Sequence, residues 1–137
     1  ARRTVSEGTI DLFSGLTGDF SEVHTDAELM KASAFGERIG HAILSLGIMQ
    51  GLMWQTNYNR GTVIATVSWD KLRFTSPLRA GDTVRAYWAI KEKRVSRSRP
   101  SLGVVVEECR LLNQRKEVVL TGEHVTLIRR RSPTDRS

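Results

Sequence analysis

Residues 41–54 form the segment that most constrains how this chain can fold. Bulky apolar side chains fill most of it and are distributed around the whole circumference of a helix, not along one stripe. Such a pattern is typical of a buried helix. Small residues at positions 42, 45, 47 and 51 would let a neighbouring backbone approach closely, which offsets the cost of up to ~1 kcal/mol for glycine inside a helix.

Four strand patterns follow this helix. Residues 62–74, 83–95, 102–112 and 118–130 are rich in Val, Ile and Thr and are separated by turn signals such as Pro77. Because helix patterns fill the first half and strand patterns the second, the chain is predicted to be α+β. A hot-dog fold, with a long central helix wrapped by a curved antiparallel sheet, satisfies this order. An α+β sandwich would fit the same pattern.

Shorter helices are predicted before the central one. Ser6 signals the start of the first, whose apolar residues recur at helical spacing. Gly15 and Gly18 are expected to end it. Residues 19–25 are predicted to be a loop, and Asp26 is expected to open a second, short helix.

The chain has 137 residues, with 21 basic and 15 acidic side chains and a formal charge of +6. This length predicts one domain, over residues 1–131, with a disordered tail at 132–137. Cys109 is the only cysteine, so no intrachain disulfide can form and a cytoplasmic protein is expected. We see neither a signal peptide nor the ~20 apolar residues of a membrane span, and expect no membrane partner.

Asp19 and His24 flank the predicted loop and suit acid–base chemistry. Acid–base catalysis with water needs one group to take a proton from the water and another to hold it, and imidazole titrates near neutrality. A loop can aim both side chains into one cavity, whereas a regular helix does not bring residues five apart together. Spacing alone also allows Asp19 to be a helix cap and His24 an ordinary loop residue.

Three ordered blocks resemble the MaoC-like family, which includes (R)-specific enoyl-CoA hydratases. Residues 17–24, TGDFSEVH, resemble its loop Ser/Thr-Gly-Asp-x-Asn-Pro-aliphatic-His. Residues 38–44, RIGHAIL, resemble Arg-Ile-x-His-Gly-Met/Leu-Leu, and residues 74–82, FTSPLRAGD, resemble Phe-x-x-Pro-Val-x-x-Gly-Asp. The chain departs from the pattern at Ser21-Glu22, where the family has Asn-Pro, and at Ala42, where it has Gly.

The resemblance implies a role for each matched position. Asp19 and His24 would bind and activate the water and shuttle its proton. Ser21 would help to fix the water or the carboxylate. The backbone N–H of Ala42, at the start of the central helix, would face the thioester carbonyl as an oxyanion donor. His41 is a further candidate, either as an extra base or as a structural or substrate-contacting residue.

Basic residues at 91–99 include Arg94 and Arg97, which are predicted to contact the phosphates of coenzyme A. A solvated turn explains the same residues. Nucleic-acid binding is not expected, because the run lacks an aromatic platform. The three histidines, at positions 24, 41 and 124, lack the short spacing of a metal site, so no metal is expected.

The sequence therefore predicts a hydratase or dehydratase that acts on the 2,3 double bond of an enoyl-CoA and forms an (R)-3-hydroxyacyl-CoA. The resemblance implies a homodimer, and an unpaired edge strand gives pairing a physical reason. No cofactor is expected beyond the CoA carried by the acyl-CoA substrate. A hot-dog acyl-CoA thioesterase and a non-catalytic acyl-thioester binding module remain as alternatives.

Overall fold

A five-stranded antiparallel sheet and one long helix dominate the fold. The computed structural model describes residues 1–131, so the tail predicted to be disordered, 132–137, lies outside the described residues. The elements in chain order are β1 (Arg2–Thr4), α1 (Glu7–Thr17), α2 (Glu22–Thr25), α3 (Ala27–Lys31), α4 (Ala42–Trp54), β2 (Val63–Phe74), β3 (Thr83–Val95), β4 (Leu102–Leu112) and β5 (Val118–Arg129).

The strands are ordered β1-β3-β4-β5-β2, and every neighbouring pair is antiparallel. Register shifts interrupt β2 at three points and the β3–β4 pairing between Ile90 and Glu92. Bulges of this kind bend a strand and increase its twist. Helix α4 lies against β3, β4 and β5. The predicted α+β hot-dog arrangement, with a sheet around a long helix, is confirmed.

The core lies between α4 and the sheet, and its residues come from both. The side chains of Met49 and Met53 on α4, Leu111 on β4 and Leu120 on β5 are each at most 1% exposed. Ile10 of α1 joins the same cluster. Burying a side chain of this size stabilises a fold by roughly 1.5–3 kcal/mol. Helix α4 is therefore fixed along its length, and its N-terminus is a rigid end on which a site can be built.

Residues 1–131 bury only one face of α4, so the prediction of burial all round is wrong. Ile43 is 64% exposed and Trp54 is 49% exposed. The reason is geometric, because one sheet covers one side of a helix. An apolar face of α4 thus remains uncovered by residues 1–131.

Two short elements were not predicted. Strand β1 pairs with the start of β3, and α2 occupies Glu22–Thr25, within the predicted loop. Both are too short to produce a sequence period. Gly15 lies inside α1, contrary to its predicted role, whereas Gly18 caps the helix with φ 82° and donates its N–H to Ser14. No helix among residues 1–131 is long and apolar enough to span a membrane.

Candidate active site

The turn after α1 places Asp19. The Thr17 hydroxyl donates to the Phe13 carbonyl at 2.7 Å and accepts the Asp19 N–H at 3.2 Å. Because Gly18 adopts the left-handed conformation, the chain reverses at the end of α1 and carries Asp19 back toward α2. The carboxylate of Asp19 is thereby held beside the next histidine.

Asp19 and His24 face each other, with His24 Nε2 3.8 Å from Asp19 Oδ2. The side chain of His24 is 14% exposed, and that of Asp19 is 52% exposed. His24 Nδ1 lies 2.8 Å from the Ile39 carbonyl oxygen, which can only accept, so in the neutral ring Nδ1 carries the proton and Nε2 presents a lone pair. A separation of 3.8 Å is too long for a direct hydrogen bond but suits a water that donates to both atoms.

Ser21 contacts Asp19 through its backbone. Its N–H donates to Asp19 Oδ1 at 3.2 Å, and its side chain makes no capping hydrogen bond to α2. The Thr25 hydroxyl donates to the carbonyls of Phe20 and Ser21, both at 3.1 Å, and so holds this turn. The structure thus assigns the contact with the carboxylate to the main chain at position 21.

His41 lies directly behind the pair and is 2% exposed. Its Nε2 lies 3.0 Å from the Ser14 hydroxyl and 3.2 Å from the Asp19 carbonyl oxygen. Its ring stacks on that of His24, with centroids 3.8 Å apart and an interplanar angle of 26°. Phe13 packs edge to face with the His41 ring, with the two ring centroids 4.8 Å apart. His41 therefore joins α1, the Asp19 turn and α2.

Ala42 is the first residue of α4, and the N–H groups of a first helical turn have no acceptor within the helix. They carry the positive end of the helix dipole. The chain reaches this position by passing close to Leu78, because a Cβ at Gly40 would lie 3.2 Å from Leu78 atoms. Gly40 also donates its N–H to the Leu78 carbonyl at 2.6 Å.

A pocket of about 680 Å³ opens over these groups. Asp19, His24, His41 and Ala42 all line it. Its remaining walls are largely apolar and include Phe13, Phe35, Ile39, Ile43, Phe74, Pro77 and Leu78. This combination of an apolar cleft with a few convergent polar groups is typical of a small-molecule site.

Arg94 and Arg97 are not among the residues that line this pocket. Arg94 pairs with Val104 near the end of β3, and Arg97 lies in the following turn. The pocket lies near the start of β3, about 30–40 Å away at ~3.3 Å per strand residue. Their contact with CoA phosphates stays a prediction.

Asp19, His24 and His41 offer ligand atoms within 4.8 Å of one another. A metal ion must lie near the plane of each imidazole, about 2.0–2.1 Å from its nitrogen. The nearly parallel rings of His24 and His41 direct their lone pairs along separate lines that do not converge. The stacked arrangement suits positioning of His24 better than metal coordination.

Sequence reasoning assigned no site role to Ser14, and it matched Thr17 to the family's loop without predicting the two hydrogen bonds of its hydroxyl. Both are short polar residues on the last turns of α1, where a hydroxyl is ordinarily read as solvated. Ser14 is 1% exposed, and a polar residue on the apolar face of a predicted amphipathic helix was the available signal.

Comparisons with known proteins agree on one family. The profile of the MaoC like domain matches residues 1–111. Protein MaoC of Klebsiella aerogenes is 34% identical over 98 residues, which cover 72% of this chain and 29% of that protein. The (R)-specific enoyl-CoA hydratase of Rhodospirillum rubrum is 33% identical over 84 residues, 61% of this chain and 56% of the hydratase.

A solved structure of a monoamine oxidase regulatory protein from Archaeoglobus superposes with a TM-score of 0.89 and 37% identity, covering 96% of this chain and 87% of that one. The two curated relatives are longer, and this chain spans less than two thirds of either.

Proposed function

The chain belongs to the MaoC-like domain family, and on that premise we propose that it adds water reversibly to a trans-2-enoyl-CoA to give an (R)-3-hydroxyacyl-CoA. The observation that carries the proposal is the Asp19–His24 pair, which lines the pocket and whose facing acceptor atoms are 3.8 Å apart. Activity, substrate and product are all parts of the proposal.

The pair supplies acid–base chemistry. A water that donates to Asp19 Oδ2 and His24 Nε2 has an oxygen lone pair free to attack C3 of the enoyl group. The proton released from that water passes through the pair to C2, so that oxygen and hydrogen add to the same face. Positioned proton transfer of this kind contributes about 10²–10⁴-fold to a rate.

The start of α4 stabilises the charge that develops. As the C3–O bond forms, electrons move onto the thioester oxygen and give an enolate-like state. We propose that the Ala42 N–H, at the positive end of the α4 dipole, donates to that oxygen. The reaction needs no group beyond the CoA of the substrate, and we propose that the protein uses no separate cofactor.

The direct test follows the loss of conjugated-thioester absorbance for a panel of enoyl-CoAs of different chain lengths. Asp19→Asn and His24→Ala should each lower the rate by about 10²–10⁴-fold. Asp26→Asn is the matched control, because Asp26 caps α3 outside the pocket and asparagine caps equally well. Absence of hydration with every chain length, or full activity in both pocket variants, would overturn the proposal.

The same experiment separates the alternatives. A thioesterase would release free CoA thiol from the panel, and a binding module would retain the thioesters without converting them. The departures at Ser21-Glu22 and Ala42 leave the Asp19–His24 pair in place, so hydration remains the function that the geometry supports best.

We propose a homodimer formed through the β2 edge. Strand β2 has β5 on one side and no strand on the other among residues 1–131, and it exposes apolar side chains, with Val67 56% and Ile64 46% exposed. An antiparallel pairing of two β2 strands would cover these groups. Acyl-CoA substrates and a single free thiol also fit the cytoplasm, the location that we propose.

A further inference from the structure

A second group of reactive side chains lies at the opposite end of α4 from the pocket. His124 on β5 and Glu107 on β4 are paired across the sheet and are 4% and 1% exposed. His124 Nδ1 lies 3.0 Å from Glu107 Oε1, and its Nε2 lies 2.9 Å from the Thr66 hydroxyl. Thr66 on β2 is an exposed residue, whereas the other two are buried.

The direction of each hydrogen bond follows from the chemistry. Because Glu107 Oε1 accepts from His124 Nδ1, that nitrogen of the neutral imidazole carries the proton. Nε2 then presents a lone pair and accepts the Thr66 O–H. The Tyr58 hydroxyl donates to the same Oε1 at 3.1 Å, and Trp69 stacks on the imidazole with centroids 4.3 Å apart. The ring of His124 is thus fixed in plane and in tautomer.

This order of groups is that of an activated nucleophile: a hydroxyl within hydrogen-bond reach of a base, and the base oriented by a third group. We propose that Thr66, His124 and Glu107 form a second site that accepts an acyl group from an activated ester or thioester. It is independent of the proposed hydratase pair, since none of the three residues lines the pocket over Asp19.

The step balances as ordinary acyl transfer. Thr66 Oγ1 forms a bond to the acyl carbonyl carbon while its proton passes to His124 Nε2. The bond to the leaving group then breaks, and the alcohol, phenol or thiol departs with that proton. Water, deprotonated by His124, next attacks the acyl-threonine ester and releases a carboxylic acid with a free Thr66 hydroxyl.

The surrounding cavity limits the acyl group. Thr66 and His124 line a space of about 160 Å³, together with Gln50 and Asn59. This is about five times the ~30 Å³ that a water molecule occupies in the liquid, so a two- or three-carbon acyl group fits. The amides of Gln50 and Asn59 are donors of the kind that stabilise an oxyanion.

Two buried oxygen atoms distinguish this cluster from a satisfied structural network. Glu107 Oε2 and Asn59 Oδ1 have no hydrogen-bond partner among residues 1–131. A buried polar atom left unpaired costs ~1–3 kcal/mol, and native cores pair nearly all of them. Pairing of two β2 edges would use backbone groups in the plane of the sheet. The Thr66 side chain instead points with His124 to the concave face of the sheet. The proposed homodimer and the proposed second site are therefore compatible.

The test uses the intact protein with p-nitrophenyl acetate, and in parallel with methanesulfonyl fluoride, whose sulfonyl group has as many heavy atoms as a propanoyl group and whose adduct does not hydrolyse readily. We expect release of p-nitrophenolate from the ester and a methanesulfonyl adduct that maps to Thr66 by peptide mass spectrometry. Thr66→Val, which removes only the hydroxyl, should lower release at least tenfold and abolish the adduct. Thr66→Ser should restore both.

Ser68→Ala, which removes a hydroxyl from the same strand, is the matched control and should behave as wild type. Thr66→Val should hydrate enoyl-CoA at the wild-type rate. The ester assay therefore tests the second site independently of the proposed hydratase activity. Equal release by wild type and Thr66→Val, or adducts confined to lysines, would overturn the second site.

Discussion

The imidazoles of His24 and His41 stack face to face, with centroids 3.8 Å apart and an angle of 26° between the rings. His24 Nε2 lies 3.8 Å from the Asp19 carboxylate, whereas His41 is buried and its Nε2 lies 3.2 Å from the Asp19 carbonyl oxygen. One histidine is therefore placed for chemistry and the other for support.

We expect His41→Phe to lower kcat by about 10–100-fold with little change in KM, since small misplacements of reacting groups cost up to ~10²-fold. Phenylalanine keeps the ring stack and the volume but loses the hydrogen bonds to Ser14 and to the Asp19 carbonyl. Steady-state kinetics on an enoyl-CoA, with a cooperative melt as the folding control, measures this. An unchanged kcat would show that His41 only fills space.

Ala42→Pro tests the oxyanion donor by removing one N–H. Proline is tolerated at the first position of a helix, and His41 already has the extended conformation, φ −63° and ψ 139°, that a residue before proline requires. We expect an intact fold and a loss of about 10²–10³-fold in kcat. Ala42→Gly keeps the N–H and should remain active. Comparable activity in the proline variant would remove Ala42 from the mechanism.

Gly40→Ala should destabilise the protein by about 1–3 kcal/mol and weaken hydration, because the new Cβ would meet Leu78 side-chain and backbone atoms at 3.2 Å. Urea unfolding measures the first effect. Gly15→Ala is the control, since nothing lies within 4 Å of its Cβ; it should stabilise α1 by about 0.5–1 kcal/mol. A free energy of unfolding for Gly40→Ala equal to or above that of wild type would contradict the close approach at Leu78.

In the proposed homodimer, Arg94 and Arg97 would contact substrate in the pocket of the other protomer. An antiparallel pairing of the two β2 strands reverses the partner's sheet, so the end of the partner's β3 lies toward the pocket of the first protomer. We expect Arg94→Gln combined with Arg97→Gln to raise KM for CoA thioesters several-fold. Co-expression of this variant with Asp19→Asn should then restore activity in mixed dimers, because one site regains both functions. No restoration would place these arginines outside the site.

Alkaline pH should destabilise the fold through Cys109. Burial, followed by the nearby Glu107 charge, raises the pKa of this thiol from 9.0 to about 12. Below pH 9 the thiol is protonated in both states, whereas between about 9 and 12 only the unfolded chain loses the proton. The free energy of unfolding should therefore fall as pH rises through this window.

Urea titrations at pH 8, 9 and 10 measure this fall. Cys109→Ala should show a shallower decline than wild type, although its stability at pH 8 is lower. Parallel curves for the two proteins would show that other groups cause the loss.

The long helix and strands were predictable from the sequence, whereas short elements and features that depend on tertiary contacts were not. The bounds of α4 and of the four long strands follow from apolar patterns over eleven or more residues. Strand β1, with three residues, and α2, with four, exist because tertiary contacts hold them. Burial around α4 was overestimated, since composition shows how apolar a helix is but not how many sides a single chain covers.

The site was partly predictable in the same sense. Asp19, His24 and Ala42 were identified from a resemblance in three blocks, and the structure brings them to one pocket. The support by Ser14 depends on its contact with His41, 27 residues along the chain, whereas that by Thr17 consists of two local hydrogen bonds within the turn. His124 and Glu107 are 17 residues apart in the chain, and their pairing depends on the register of β4 and β5.

The backbone hydrogen bond from Ser21 to Asp19 has an evolutionary consequence. A contact made by the main chain survives any substitution at that position except proline, which lacks the N–H. Selection on the side chain at position 21 is therefore relaxed with respect to anchoring the carboxylate. The residue type at position 21 can change while the hydrogen bond from its N–H to Asp19 is kept. Sequence searches that require the family's asparagine would therefore overlook chains that retain the same arrangement of reactive groups.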